Sequence, residues 1–148
     1  MTSPEDPLKV AMAIIINQNG YILENRKDGS ANGAVGKLGC FGGRVDIGES
    51  PEQAVVREVT QEETTGLEDF TISEFRRLGA VAVKSDRNGL PANVEAEVFQ
   101  LYIPPGIEVK GKDGREAVIL DLGRIVAHKH KGELTPATFA AVEKFYGL

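Results

Sequence analysis

The sequence predicts an α/β domain with a mixed β-sheet, and three observations carry that expectation. Strand-like apolar segments recur along the chain, two segments open on strongly marked helix starts at Ser50-Pro51 and Thr135-Pro136, and 148 residues suffice for one core. No repeat, low-complexity linker or shift in composition divides residues 1–148, so a single domain is expected.

The elements follow in order. After a polar start ending near Pro7, Val10 to Ile16 is uniformly apolar and reads as a strand buried on both faces. Asn17-Gln-Asn-Gly20 has the turn chemistry of a hairpin into a second strand, Tyr21 to Asn25. Lys27 to Lys37, rich in glycine and small residues, reads as a loop. A helix starts at Ser50: the serine is a natural N-cap, Pro51 suits the first helical position, and Gln53 completes a capping box. Phe75 to Val83 and Val94 to Ile103 read as strands separated by the turn-rich Ser85 to Ala92, and Ala117 to Leu120 as another short strand. Thr135-Pro136 opens the last helix, whose apolar face is Ala140, Ala141, Val142 and Phe145.

Composition excludes several classes. A net charge of −5 argues against a nucleic-acid polymer as partner, because such binding rests on many cations. No apolar run is long enough for a signal core or a membrane span, and the lone Cys40 cannot form an internal disulfide, so a cytoplasmic chain without membrane contact is expected. Cys40 reads as a small packed residue, since no histidine is near it in sequence. A homodimer is left open.

The chemistry concentrates between Gly42 and Glu63. Glu58 and Glu62 are four apart on the helix begun at Ser50, with Gln61 three after Glu58, so in an α-helix all three share one face. Like charges so placed cost a helix a few tenths of a kcal/mol, roughly, which a bound hard cation would offset. Gly42 and Gly43 read as a glycine loop that allows close backbone approach, and only oxygen donors are offered. His128 and His130 lie far off in a Lys-rich segment and read as surface residues, so Mg²⁺ or Mn²⁺ is the expected cofactor rather than zinc.

With those residues in view, the segment resembles the Nudix box, G-x5-E-x7-R-E-U-x-E-E-x-G-U with U aliphatic. Gly43, Glu49, Arg57, Glu58, Val59 and Glu62 match it without a gap. Gln61 stands where the first glutamate of the pair belongs, Thr64 where the glycine belongs and Thr65 where the aliphatic residue belongs; Phe41 replaces the usual proline before the glycines. A gapped reading makes Glu62-Glu63 the pair and Gly66-Leu67 the ending, but in an α-helix those carboxylates fall four and five residues after Glu58 and off its face. The ungapped reading is therefore preferred.

The resemblance implies an α/β/α sandwich and a Mg²⁺-dependent pyrophosphohydrolase cleaving a nucleoside diphosphate linked to a group X. It also implies metal ligands at Gly43 (by its carbonyl), Glu58 and Glu62, a supporting salt bridge from Arg57 to Glu49, and a further ligand or general base outside the box. Glu95 and Glu97 are the candidates for that last role: period two puts them on the face of Phe99, Leu101 and Ile103, either as functional carboxylates or as the solvated end of the strand. Asp113 and Glu116 are weaker alternatives, in and beside the turn-like Lys112 to Arg115. Arg44, Arg26 and Lys37 flank the box and could hold phosphate oxygens; Tyr21, Phe41, Phe75 or Tyr102 would have to stack a base. The local box match looks like the branch that removes oxidised nucleoside triphosphates, and the chain is short for the extra N-terminal domain of many ADP-ribose hydrolases of the family. A nucleoside triphosphate or dinucleoside polyphosphate substrate is expected. Because Gln61 is neutral, a nucleotide-binding sensor without turnover stays open as a different class.

Overall fold

A computed structural model describes residues 6–26, 36–87 and 90–148. Its spine is β1 (Leu8–Asn17), whose one edge is shared: Ile15 to Asn17 pair antiparallel with β2 (Gly20–Arg26), and Val10 to Ala13 with the short β4 (Phe41–Arg44). Along its other edge β1 pairs parallel with β7 (Leu90–Tyr102), which in turn pairs antiparallel with β6 (Phe75–Arg87). β2 carries β3 (Leu38–Gly39) and β9 (Arg115–Leu120), completing a seven-stranded mixed sheet. β5 (Thr64–Thr65) and β8 (Lys110–Gly111) form a separate two-stranded ribbon.

Alternation along β1 builds the layers. Ala11, Ala13 and Ile15 face helix α1 (Pro51–Arg57) and pack with Ala54, Val55, Val59, Phe99 and Leu101; Met12 and Ile14 face the other way, onto Ala96, Val98 and Ala141 of α3 (Pro136–Tyr146). α2 (Leu122–His130) closes the far end with Ile125 against Leu23, Leu120 and Val142. A strand buried on both faces needs an apolar residue at every position, which is why Val10 to Ile16 shows no polar alternation. The result is a sheet between helical layers, an α/β/α sandwich.

The expected elements are present, with three differences. Most of the turn-rich stretch Ser85 to Ala92 is paired, from Lys84 opposite Asn93 to Arg87 opposite Leu90, so β6 and β7 make one long hairpin; the two residues between them lie outside the described ones. Hydrogen bonding of the backbone carries the strands beyond where side-chain hydrophobicity marks them. Gly42 and Gly43, expected in a loop, sit in β4, where a Cβ at Gly42 would lie 2.3 Å from the Ala11 carbonyl oxygen. α2 was not expected from its composition, yet Asp121 caps it by accepting from the Arg124 N–H at 2.8 Å. Of the expected Lys27 to Lys37 loop, residues 27–35 lie outside the described ones.

Candidate active site

α1 begins as expected: Ser50 Oγ accepts from the Gln53 N–H at 3.1 Å, and Gln53 Oε1 accepts from the Ser50 N–H at 2.9 Å. The helix does not continue as an α-helix. Residues Glu58–Glu62 form a π-turn, closed by the Glu63 N–H donating to the Glu58 carbonyl at 2.9 Å. A ring of i→i+5 bonds holds one residue more than an α-turn, so residues four and five after Glu58 take the places that three and four would have.

This corrects the register assumed from sequence. Glu62 stands beside Glu58, both bonded by Arg57 Nη1, at 2.9 Å in the case of Glu58. Glu63 is buried, 2% exposed, and accepts from the Gly42 N–H at 2.6 Å. Gln61 is displaced outward, exposed and lining a cleft of about 530 Å³ with Gln53, Val56, Arg57, Phe70 and Ile72. The gapped reading of the box is thus the one that matches the geometry.

Arg57 organises the cluster. Its Nε and Nη2 donate to Glu49 at 2.7 and 2.9 Å, and Nη2 also donates to the Arg44 carbonyl at 3.0 Å. Hydrogen bonding from Arg57, helped by the Asp46 N–H, lowers the Glu49 pKa to about 2. Glu58 is raised above its ordinary value, chiefly by burial, with Arg57 opposing. Glu63 is pushed up to about 8 by burial and then by the nearby Glu24, against the pull of Arg115 and the Gly42 N–H.

Glu58 lies directly on β4: a Cβ at Gly43 would come within 2.6 to 2.8 Å of its carboxylate atoms. Glycine there makes room for a carboxylate beside main chain, an all-oxygen setting that fits a hard divalent cation. Among the described residues no three acidic, histidine or cysteine side chains converge as a ready cage, because Arg57 draws Glu49, Glu58 and Glu62 to itself.

The other sequence candidates divide. Glu97 lies opposite Ala11, which lies opposite Gly43, so its Cα is about 10 Å from that of Gly43 at two strand spacings. Its carboxylate accepts from Arg77 at 2.8 Å, and Arg77 also reaches Glu52 of α1 at 2.9 Å. Glu95 is half-buried in a shallow cleft with Ala80, Ala82 and Lys144. Asp113 sits in the turn between β8 and β9, at φ 52°, and Glu116 pairs opposite Asn25. Arg44 and Lys37 are exposed, and the side chain of Arg26 lies outside the description. Of the proposed stacking residues, Phe41 and Phe75 are core and Tyr102 is exposed; Tyr21 packs edge-on against Tyr146 at 5.6 Å. Burial pushes the Cys40 thiol up to about 12. His130 is exposed, whereas His128 is half-buried with Nδ1 3.1 Å from Glu133. Sequence reading missed Arg115, which places Nε 3.5 Å from Glu63 and 3.8 Å from Glu24.

A helix whose end carries clustered carboxylates onto a glycine strand, in a sandwich with a mixed sheet, defines a class of α/β/α domain with an acidic, oxygen-rich site beside main chain. The family model for the NUDIX domain matches residues 7–137, and the chain belongs to the Nudix hydrolase family. It is 40% identical over 67 residues to the 8-oxo-dGTP diphosphatase of Escherichia coli (strain K12), covering 45% of this chain and 51% of that protein. Over 122 residues it is 34% identical to the ADP-ribose pyrophosphatase of Methanocaldococcus jannaschii, covering 80% of this chain and 64% of that protein. The chain thus spans between about half and two thirds of the length of these curated relatives. The MutT protein from Methanosarcina mazei Go1 superposes with a TM-score of 0.67 at 26% identity, over 98% of this chain and 97% of that one. A bifunctional NMN adenylyltransferase/ADP ribose pyrophosphatase from Francisella tularensis, complexed with AMP and a Mn ion, gives 0.72 over 97% of this chain and 42% of that one; at 13% identity this likeness concerns the fold alone. Among the described residues no helix is long and apolar enough to cross a membrane.

Proposed function

We propose that the chain is a divalent-metal-dependent pyrophosphohydrolase that cleaves a phosphoanhydride bond of a nucleoside diphosphate linked to X. The observation that carries this reading is the placement of Glu58 and Glu62 side by side on the π-turn, with Glu58 packed onto Gly43. Glu58, Glu62 and the Gly43 carbonyl are the groups that would hold Mg²⁺ or Mn²⁺, which when bound neutralises phosphate charge and acidifies water. Arg57 keeps the two carboxylates oriented and Glu49 keeps Arg57 in place, as outer-shell partners do. Glu97, at the level of Gly43 on the same sheet, is the better candidate for the carboxylate that takes a proton from the attacking water; Glu95, in a separate cleft, is the weaker.

The relatives support a nucleoside diphosphate derivative as substrate, and the 40% match over part of the chain favours a nucleoside triphosphate. The deciding experiment is Mg²⁺-dependent turnover over a panel, read as pyrophosphate or phosphate release from 8-oxo-dGTP and ordinary nucleoside triphosphates and as nucleotide products from ADP-ribose and a dinucleoside polyphosphate. Turnover of one of these that is lost with EDTA is expected. Nucleotide-induced thermal stabilisation without any turnover would replace the enzyme with a binding module.

A further inference from the structure

Glu63 is the charged side chain that the fold buries most completely among the described residues. Besides the Gly42 N–H, what faces it is Arg115 from the start of β9, whose Nε is 3.5 Å from Glu63 and 3.8 Å from Glu24. Two carboxylates share this guanidinium, and all three side chains are largely shielded from solvent. The Nε–H is itself buried and makes no hydrogen bond among the described residues, so it stands between the two carboxylates. Arg115 Nη1 meanwhile donates to the Lys112 carbonyl at 3.1 Å, closing the β8–β9 turn.

That turn grips the end of the π-turn. The Lys112 N–H donates to the Glu63 carbonyl at 2.9 Å, and Lys112 Nζ donates to the Gln61 carbonyl at 2.7 Å. A helix end leaves such carbonyls without partners, and cations there are favourable. One short segment therefore holds the wide turn by its backbone, through Lys112, and by its buried carboxylate, through Arg115.

We propose that Arg115 is a positioning residue for the carboxylate face: shared by Glu63 and Glu24, it keeps Glu63 on the Gly42 N–H and so fixes the turn that presents Glu58 and Glu62. The inference rests on the hydrolase reading given above. Arg115 acts through Glu63, without touching substrate. A planar guanidinium can face two carboxylates and a carbonyl together, which a lysine ammonium does less well. Without it Glu63 loses its only cationic neighbour within 4 Å among the described residues, its hold on the Gly42 N–H weakens and the turn relaxes.

The test uses the full chain with Arg115→Met and Arg115→Lys, each checked by thermal melt. Mn²⁺ binding is followed by electron paramagnetic resonance without nucleotide, and Mg²⁺-dependent turnover is measured on the substrate found active. Arg115→Met should weaken Mn²⁺ binding and lower kcat by about tenfold each, with KM changed by less than about twofold. Arg115→Lys should recover part of both. A folded Arg115→Met protein with wild-type Mn²⁺ affinity and kcat overturns the inference, as does a lysine variant no better than methionine. If the methionine variant does not fold, wild-type values in Arg115→Lys overturn it instead. The Mn²⁺ titration separates the two readings: weakened binding in the variant of a chain with no turnover supports the positioning role while removing the hydrolase, and full turnover with unchanged binding does the reverse.

Discussion

Glu49 and Glu63 sit 14 positions apart in the chain, and their surroundings push them in opposite directions. Glu49 is held by Arg57 and has its pKa lowered to about 2. A lowered native pKa means the unfolded chain binds the proton more tightly, so the stability Glu49 contributes is present above its ordinary value of 4.5 and is lost as pH falls toward 2. Glu49→Gln should therefore melt below wild type at pH 7, with the gap closing at the acid end of that window. Glu63, raised to about 8 by burial, has the reverse sign: its contribution is full below 4.5 and is lost as pH climbs through 8. In EDTA, wild type should lose melting temperature across that window relative to Glu63→Gln, which carries no charge to bury. Parallel pH profiles for these two proteins would show that Glu63 is solvated, contrary to its 2% exposure.

At the scale of the element, the box helix shows what sequence could and could not tell. Its start was legible to the residue, because Ser50, Pro51 and Gln53 act through local hydrogen bonds that depend only on neighbours in the chain. Its end was not legible. Whether residues 58–62 close as an α-turn or a π-turn is decided by distant groups: Gly42, which takes the Glu63 carboxylate, and Lys112, which caps the Glu63 and Gln61 carbonyls. Reading the box at α-helical spacing placed Gln61 on the carboxylate face and Glu63 off it, and the wide turn reverses the two. Gln61→Glu should then change the Mg²⁺ dependence of the rate little, whereas Glu63→Gln should lower turnover by about tenfold or more. Deleting Gln61 supplies a sharper test. It shortens the ring by one residue, lets an α-turn form, and brings Glu62 and Glu63 to three and four after Glu58, so activity should survive better than in Glu63→Gln. A deletion protein that folds but is as inactive as Glu63→Gln would show that the π-turn itself, rather than the spacing it creates, is needed.

Across the whole molecule, the layers were readable because burial on both faces leaves an unbroken apolar run in β1 and because the last helix shows its stripe on the surface of the sequence. The site was readable only in part, since Glu49, Glu58, Glu62 and Glu63 belong to one segment while Arg115 and Gly42 reach it from two other strands. Convergence from distant strands also predicts how the fold responds to metal. A chain that gathers Glu58 and Glu62 beside Arg57 should gain stability on binding a divalent cation there, because binding to the native state alone shifts unfolding by RT ln(1 + [L]/Kd). At a hundred times Kd that is about 2.7 kcal/mol, or roughly 5–10 °C in Tm for a domain of this size. Glu58→Gln and Glu62→Gln each remove one charged oxygen donor from outside the core, so both should fold, lose most of the Mg²⁺-induced shift and lose most hydrolysis together. Retention of the shift in both variants, measured by melts over a Mg²⁺ series, would place the cation elsewhere and leave the π-turn carboxylates as an ion-pair network around Arg57.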